Sequence, residues 1–236
     1  MPLRKFVPAL LLVSSLFLER GAHAAESHPA HTGFQGSLQM GLSYPLGQAT
    51  AAPGDKLANR YGSQWQPFLL GFGAKVSEHV YVGGYVDATF GSKGRDTEVK
   101  SACRDADSNL ENDIGCSSFT VRAGLETRYS FTPAQVTDFW LGYGIGPTLA
   151  SETIKDRVID RKETTQVTGW EFVRLSAGAT FRLTKGFGFG PYILGSLGHH
   201  FHETTRVQKV TVYQGRIEDQ AWHVWMNLGL RLVVLP

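Results

Sequence analysis

Phe119-Thr120-Val121-Arg122-Ala123-Gly124-Leu125-Glu126-Thr127-Arg128-Tyr129-Ser130-Phe131 is the stretch on which the fold turns. Phe119, Val121, Ala123, Leu125, Tyr129 and Phe131 occupy odd positions, while Thr120, Arg122, Gly124, Glu126 and Arg128 occupy even ones. A period of two puts these sets on opposite faces of an extended strand. One face carries no charge at all. The other mixes Gly with Arg and Glu, so the two faces must meet different surroundings.

Seven more segments repeat the pattern. Before the quoted strand lie Phe34 to Tyr44, then Phe68 to Val76, then Val80 to Phe90 with Tyr81, Gly83, Tyr85, Asp87 and Thr89 on its polar side. After it come Phe139 to Leu149, Val173 to Leu183, Phe187 to His202 and Trp222 to Val234. In the sixth segment Val173, Leu175, Ala177, Ala179, Phe181 and Leu183 oppose Arg174, Ser176, Gly178, Thr180 and Arg182. Trp140, Leu194 and Trp225 interrupt the strict alternation and are expected on the polar side. Each segment reaches the roughly 9–11 residues that a tilted strand needs to cross a bilayer.

The connections alternate in length. Short ones lie at 77–79, 132–137 and 184–186; long polar ones span 47–64, 91–118, 151–169 and 203–221. Long connections always follow odd-numbered segments. That asymmetry is the mark of an all-β, eight-stranded antiparallel up-and-down transmembrane β-barrel, with short periplasmic turns and long extracellular loops. A secreted lipocalin-like barrel would instead turn its apolar face inward around a ligand and its polar face to water. A wet exterior calls for many Lys and Glu and few glycines, whereas Gly beside Arg suits a narrow polar lumen. Aromatics at strand ends (Tyr44, Tyr129, Phe131, Phe139, Phe187, Phe189, Phe201 and Trp222) fit interfacial girdles.

This pattern resembles the small eight-stranded outer-membrane β-barrel proteins, the group of the OmpA transmembrane domain and OmpX. With Gly142-Tyr143-Gly144 and the Cys103 to Cys116 loop, it is most similar to the uncharacterised outer-membrane barrels of δ-proteobacteria. The resemblance implies a monomer in the bacterial outer membrane, in contact with membrane lipid and lipopolysaccharide. The chain departs from such barrels in ending Leu232-Val233-Val234-Leu235-Pro236 where an aromatic is usual.

Residues 1–24 read as a signal peptide and 25–236 as the barrel domain. Arg4 and Lys5 precede the apolar run Phe6 to Leu18, and Ala22-His23-Ala24 is a small-x-small cleavage site. Cys103 and Cys116 are expected to form a disulfide in the oxidising exterior, closing a loop of about 14 residues and stabilising it by about 3 kcal/mol. Lys and Arg number 23 against 21 Asp and Glu, a net charge of +2 that gives no footprint for nucleic acid. Mean hydropathy of −0.15 excludes a bundle of transmembrane helices.

The lumen is expected to hold a charge network of Lys75, Asp87, Arg122, Glu126, Arg128, Arg174, Arg182 and Arg231. Asp87 should pair with Arg122, and Glu126 should be shared by Arg128, Arg182 and Arg231. Such a network plugs a narrow barrel; an anion-preferring pore is the alternative. His200, His202 and His223 should face inward near the outer rim, but no Cys or carboxylate stands at ligand spacing beside them. Asp105, Asp107, Asn109, Glu111 and Asp113 alternate like the start of a calcium loop, yet Leu110 and Cys116 replace the Gly and Glu such a loop needs. Ser196 and His200 lie about 13 Å apart along one strand, too far to hydrogen-bond. Catalytic sites, metals and cofactors are therefore not expected. The leading role is structural or surface interaction, with loops 151–169 and 203–221 able to extend the strands and to offer an edge to an extracellular protein or surface ligand. A narrow solute channel and an outer-leaflet lipid enzyme are the other readings.

Overall fold

The computed structural model describes residues 32–48, 57–58, 64–91, 114–156, 158–218 and 220–235. Residues 1–24, read above as a signal peptide, Cys103 and the acidic residues of 105–113 lie outside them. Nine strands follow in order: β1 (Gly33–Gly47), β2 (Gln64–Lys75), β3 (Val80–Gly91), β4 (Ile114–Ser130), β5 (Thr137–Asp156), β6 (Arg161–Thr184), β7 (Phe187–Val207), β8 (Val210–Arg216) and β9 (Trp222–Val234). Every pairing is antiparallel. Consecutive strands pair from β1 to β7, and β9 then joins β7 to β1. Eight strands thus close a ring with no free edge. Among the described residues β8 pairs with β7 alone, above the ring.

The connections at 76–79, 131–136 and 185–186 lie at one end of the ring. The start of β1 and the end of β9 meet there, Gly36 opposite Val234. Gly serves the close approaches inside. A Cβ on Gly71 would come within 2.7 Å of the Arg128 guanidinium and of Ser37 Oγ, so this glycine leaves the room that the long side chains fill.

Two of the expected long connections are largely strand. β5 runs to Asp156 and β6 begins at Arg161, so most of 151–169 is a long hairpin. Within 203–221, β7 continues to Val207 and turns through Gln208 and Lys209, both with positive φ, into β8. β4 joins in, with Ile114 to Ser118 paired to Asp156 to Glu152. The result is a five-stranded sheet, β4 to β8, standing above the barrel. β-Branched and Thr-rich sequences such as Thr164-Thr165, Thr204-Thr205 and Val210-Thr211-Val212 favour that continuation, since they suit a pleated surface.

Side-chain direction is inverted relative to a soluble protein. Leu42, Leu70, Leu125, Leu141, Leu175, Ile193 and Leu228 are exposed on the outer wall. Gln39, Asp87, Arg122, Glu171, Arg174 and Asn227 are buried within. Backbone polar groups are consumed by the closed ladder, which is what a hydrocarbon environment demands. Trp140, Leu194 and Trp225 do sit inside, at 4%, 3% and 1% exposure.

Candidate functional site

The lumen is built in layers. At its centre Asp87 and Glu171 face Arg122 and Arg174. Asp87 Oδ2 lies 3.2 Å from Arg122 Nη1 and 3.3 Å from Arg174 Nη2. Glu171 lies 3.1 Å from Arg122 Nε and 3.3 Å from Arg174 Nη1. Two acids and two bases, all at most 3% exposed, thus neutralise one another. Neutral donors saturate the carboxylates further. Ser196 Oγ donates to Glu171 at 2.5 Å, and Gln66 Nε2 donates to Asp87 at 2.5 Å. Tyr192 OH in turn donates to Gln66 Oε1 at 2.5 Å. The Arg174 guanidinium lies 4.2 Å from the Tyr85 ring centre, and that of Arg122 lies 4.6 Å from Trp225. Buried charge is tolerable only with this degree of pairing.

Apolar groups close the lumen around that square. Leu57, Ala150, Val167 and Trp225 form one cluster toward the outer end, with Ile217 packed on it. Leu69, Tyr85, Trp140, Tyr192 and Leu194 form another, on the periplasmic side of the square. An eight-stranded ring is just wide enough for such side chains to fill it. Ser196 spends its hydroxyl on Glu171, so it is not poised as a nucleophile.

The expected network is partly as read. The Asp87–Arg122 pair is present, and Arg128 pairs with Glu126. Arg182 and Arg231 do not share Glu126. Arg182 donates to the Pro133 carbonyl in the β4–β5 turn, and Arg231 donates to Thr180 Oγ1 at 3.2 Å. These strands carry the two guanidiniums to other depths and neighbours. Lys75 is buried at the periplasmic end with Asp138, an acid the reading passed over.

Glu171 was also missed, and it is central. Strict alternation from Val173 would point residue 171 outward. The β6–β7 register shifts between Glu171 and Val173, so Phe172 is an extra residue there. That bulge brings Glu171 and Arg174 to the same side. A second shift, between His200 and His202, turns His202 out to an exposed position. The inward histidines are therefore His200 and His223, stacked at 4.0 Å. No group of three or more metal-ligating side chains occurs among the described residues.

A ring of paired strands with leucines outside and ion pairs inside has one compatible solvent arrangement: hydrocarbon around it. It is an outer-membrane β-barrel. Its girdles are where the interfaces require them, His79, Tyr129 and Phe131 at the periplasmic end and Phe172, His199, Phe201 and Trp222 near the outer rim.

No protein-family model matches the chain, and no curated protein matches it in sequence. Solved structures similar in shape include small outer-membrane proteins. Ail of Yersinia pestis, solved with the heparin analogue sucrose octasulfate, shares 12% identity over 84% of this chain and 98% of its own, with a TM-score of 0.43. A major outer membrane protein of Thermus thermophilus shares 12% over 85% and 99%, at 0.48. OprG of Pseudomonas aeruginosa shares 10% over 88% and 99%, at 0.47.

Proposed function

We propose that this barrel is a non-enzymatic, monomeric surface protein whose protruding sheet binds an extended polypeptide along β8. The free edge of β8 carries the reading. Among the described residues β8 is paired on one side only, and Val210, Val212 and Tyr213 are exposed. An edge strand offers a row of unpaired N–H and C=O groups, which soluble proteins usually blunt with short strands, charges or proline. Seven residues without proline are enough to add a strand from a partner. Export through residues 1–24, and lipid and lipopolysaccharide around the wall, belong to the same reading.

The test is attachment of expressing cells to protein-coated surfaces, comparing the intact chain with a deletion of 208–216 and with Val212→Pro. β8 lies outside the closed ring, so both variants should keep the heat-shifted gel mobility of a folded barrel. Attachment should fall at least fivefold in both. Undiminished attachment would sink the proposal.

The channel reading is disfavoured by the filled lumen. The reconstituted barrel should show no steady conductance in planar bilayers, and a stable open level would reverse this assignment. Cys103–Cys116 pairing is part of the proposal too. Purified protein should take up no maleimide until reduced, then two per chain.

A further inference from the structure

Charge is unevenly distributed along the lumen, and the imbalance lies at the periplasmic end. The central square is neutral. Among the described residues, four buried cations stand below it, Lys75, Arg128, Arg182 and Arg231, against two buried acids, Glu126 and Asp138, with Glu78 acting on Lys75 from the exposed turn. Each of the four is at most 8% exposed. Both acids are already engaged: Glu126 with Arg128, and Asp138 Oδ1 accepting from the Thr132 amide at 3.3 Å. Arg231 is the plainest case. Its Nη1 donates to Thr180, but Nε and Nη2 are buried with no acceptor, and its guanidinium sits 4.9 Å from the Trp140 ring centre. Arg128 Nε and Nη1 and Arg182 Nε are likewise buried without acceptors.

These cations line one cavity. Its walls include Lys75, Arg128, Trp140, Arg182 and Arg231 together with the Asp138 carboxylate, and it reaches Ser130 and Leu235 at the strand ends. Its volume of about 20 Å³ compares with the ~10–15 Å³ that one water needs. Water would accept the orphan N–H groups but would leave the excess of buried positive charge without a counter-ion, which burial penalises. A monovalent ion with no fixed geometry would meet both needs.

We propose that this cavity is a binding site for a chloride-sized anion, held chiefly by Arg231 with Arg128, Arg182 and Lys75 around it. The site is a dead end: Trp140, Tyr192, Leu194 and the ion-pair square close it from above. It is separate from the β8 edge, and its occupancy stabilises the barrel from within.

The experiment is ³⁵Cl NMR linewidth on the full barrel in a zwitterionic detergent, with crystals grown in sodium bromide. Wild type should broaden the chloride signal beyond empty micelles, and bromide should remove that excess. Equal concentrations of phosphate should not. Arg231→Met should reduce the excess at least fivefold. Arg182→Gln, which leaves Arg231 in place, should reduce it by a smaller factor and guards against a folding failure of the first variant. An anomalous bromide peak should lie within hydrogen-bond distance of Arg231. Equal excess broadening in wild type and both variants, or no bromide peak in the cavity, would overturn the site. Competition by phosphate as strong as by bromide would overturn its size.

Discussion

Glu171→Ala is expected to destabilise the barrel by about 3–5 kcal/mol, the typical cost of removing one partner from a buried ion pair. The substitution leaves Arg122 and Arg174 with Asp87 alone, and Ser196 with no acceptor at 2.5 Å. The penalty arises from a guanidinium left buried without its counter-charge, so removing that guanidinium too should recover much of the loss. Glu171→Ala with Arg174→Met keeps the Asp87–Arg122 pair and restores neutrality. Urea unfolding in lipid vesicles, followed by tryptophan fluorescence, measures both. Glu163→Ala supplies the contrast. Its partner Arg161 lies 3.4 Å away at the tip of the protruding sheet, and both side chains are well exposed. That pair should contribute less than about 1 kcal/mol. A Glu171→Ala variant as stable as Glu163→Ala would mean that the square does not hold the lumen together.

The same residue shows where sequence reading stops. The β3–β4 ladder has no bulge and β9 alternates in and out residue by residue, and there the charged inward residues were legible: Asp87, Arg122, Glu126, Arg128 and Arg231 all lie inside. In β6 and β7 the ladder contains bulges, and each extra residue reverses the faces beyond it. Glu171 moved in and His202 moved out for that reason. Nothing in Trp170-Glu171-Phe172 or His200-Phe201-His202 marks the shift locally, because a bulge is fixed by the partner strand. The ion pairing failed on a different ground. Arg182 and Arg231 share a face with Glu126, but depth along the axis follows from stagger between strands, which periodicity does not encode. The extended sheet was legible as the suggestion that 151–169 and 203–221 extend the strands. Its length required the pairing partners, since polar Thr-rich sequence reads equally as loop.

Leu228→Arg should cost about 2–4 kcal/mol in a bilayer, the penalty measured for a charge on the lipid face near mid-membrane. β9 runs from Trp222 in the outer girdle to Val234 opposite Gly36 of β1, and Leu228 stands midway. Twelve steps at about 3.3 Å, tilted by about 40°, cover roughly 30 Å, the thickness of the hydrocarbon core. Leu228 lies between Leu42 on β1 and Ile193 on β7, and half of its surface is exposed on the outer wall. Arginine there breaks no contact inside the lumen. In water the substitution would be close to neutral, as surface changes are. In lipid the guanidinium must reach for the interface or thin the membrane around it. Trp222→Arg, at the rim, should cost no more than about 1 kcal/mol in charge transfer, because the penalty falls toward the interface. Urea titration in vesicles gives both values, and the difference between them reads depth directly. Equal and negligible costs at 222 and 228 would mean that the exterior of this ring is wet, and that its leucines await a protein rather than a membrane.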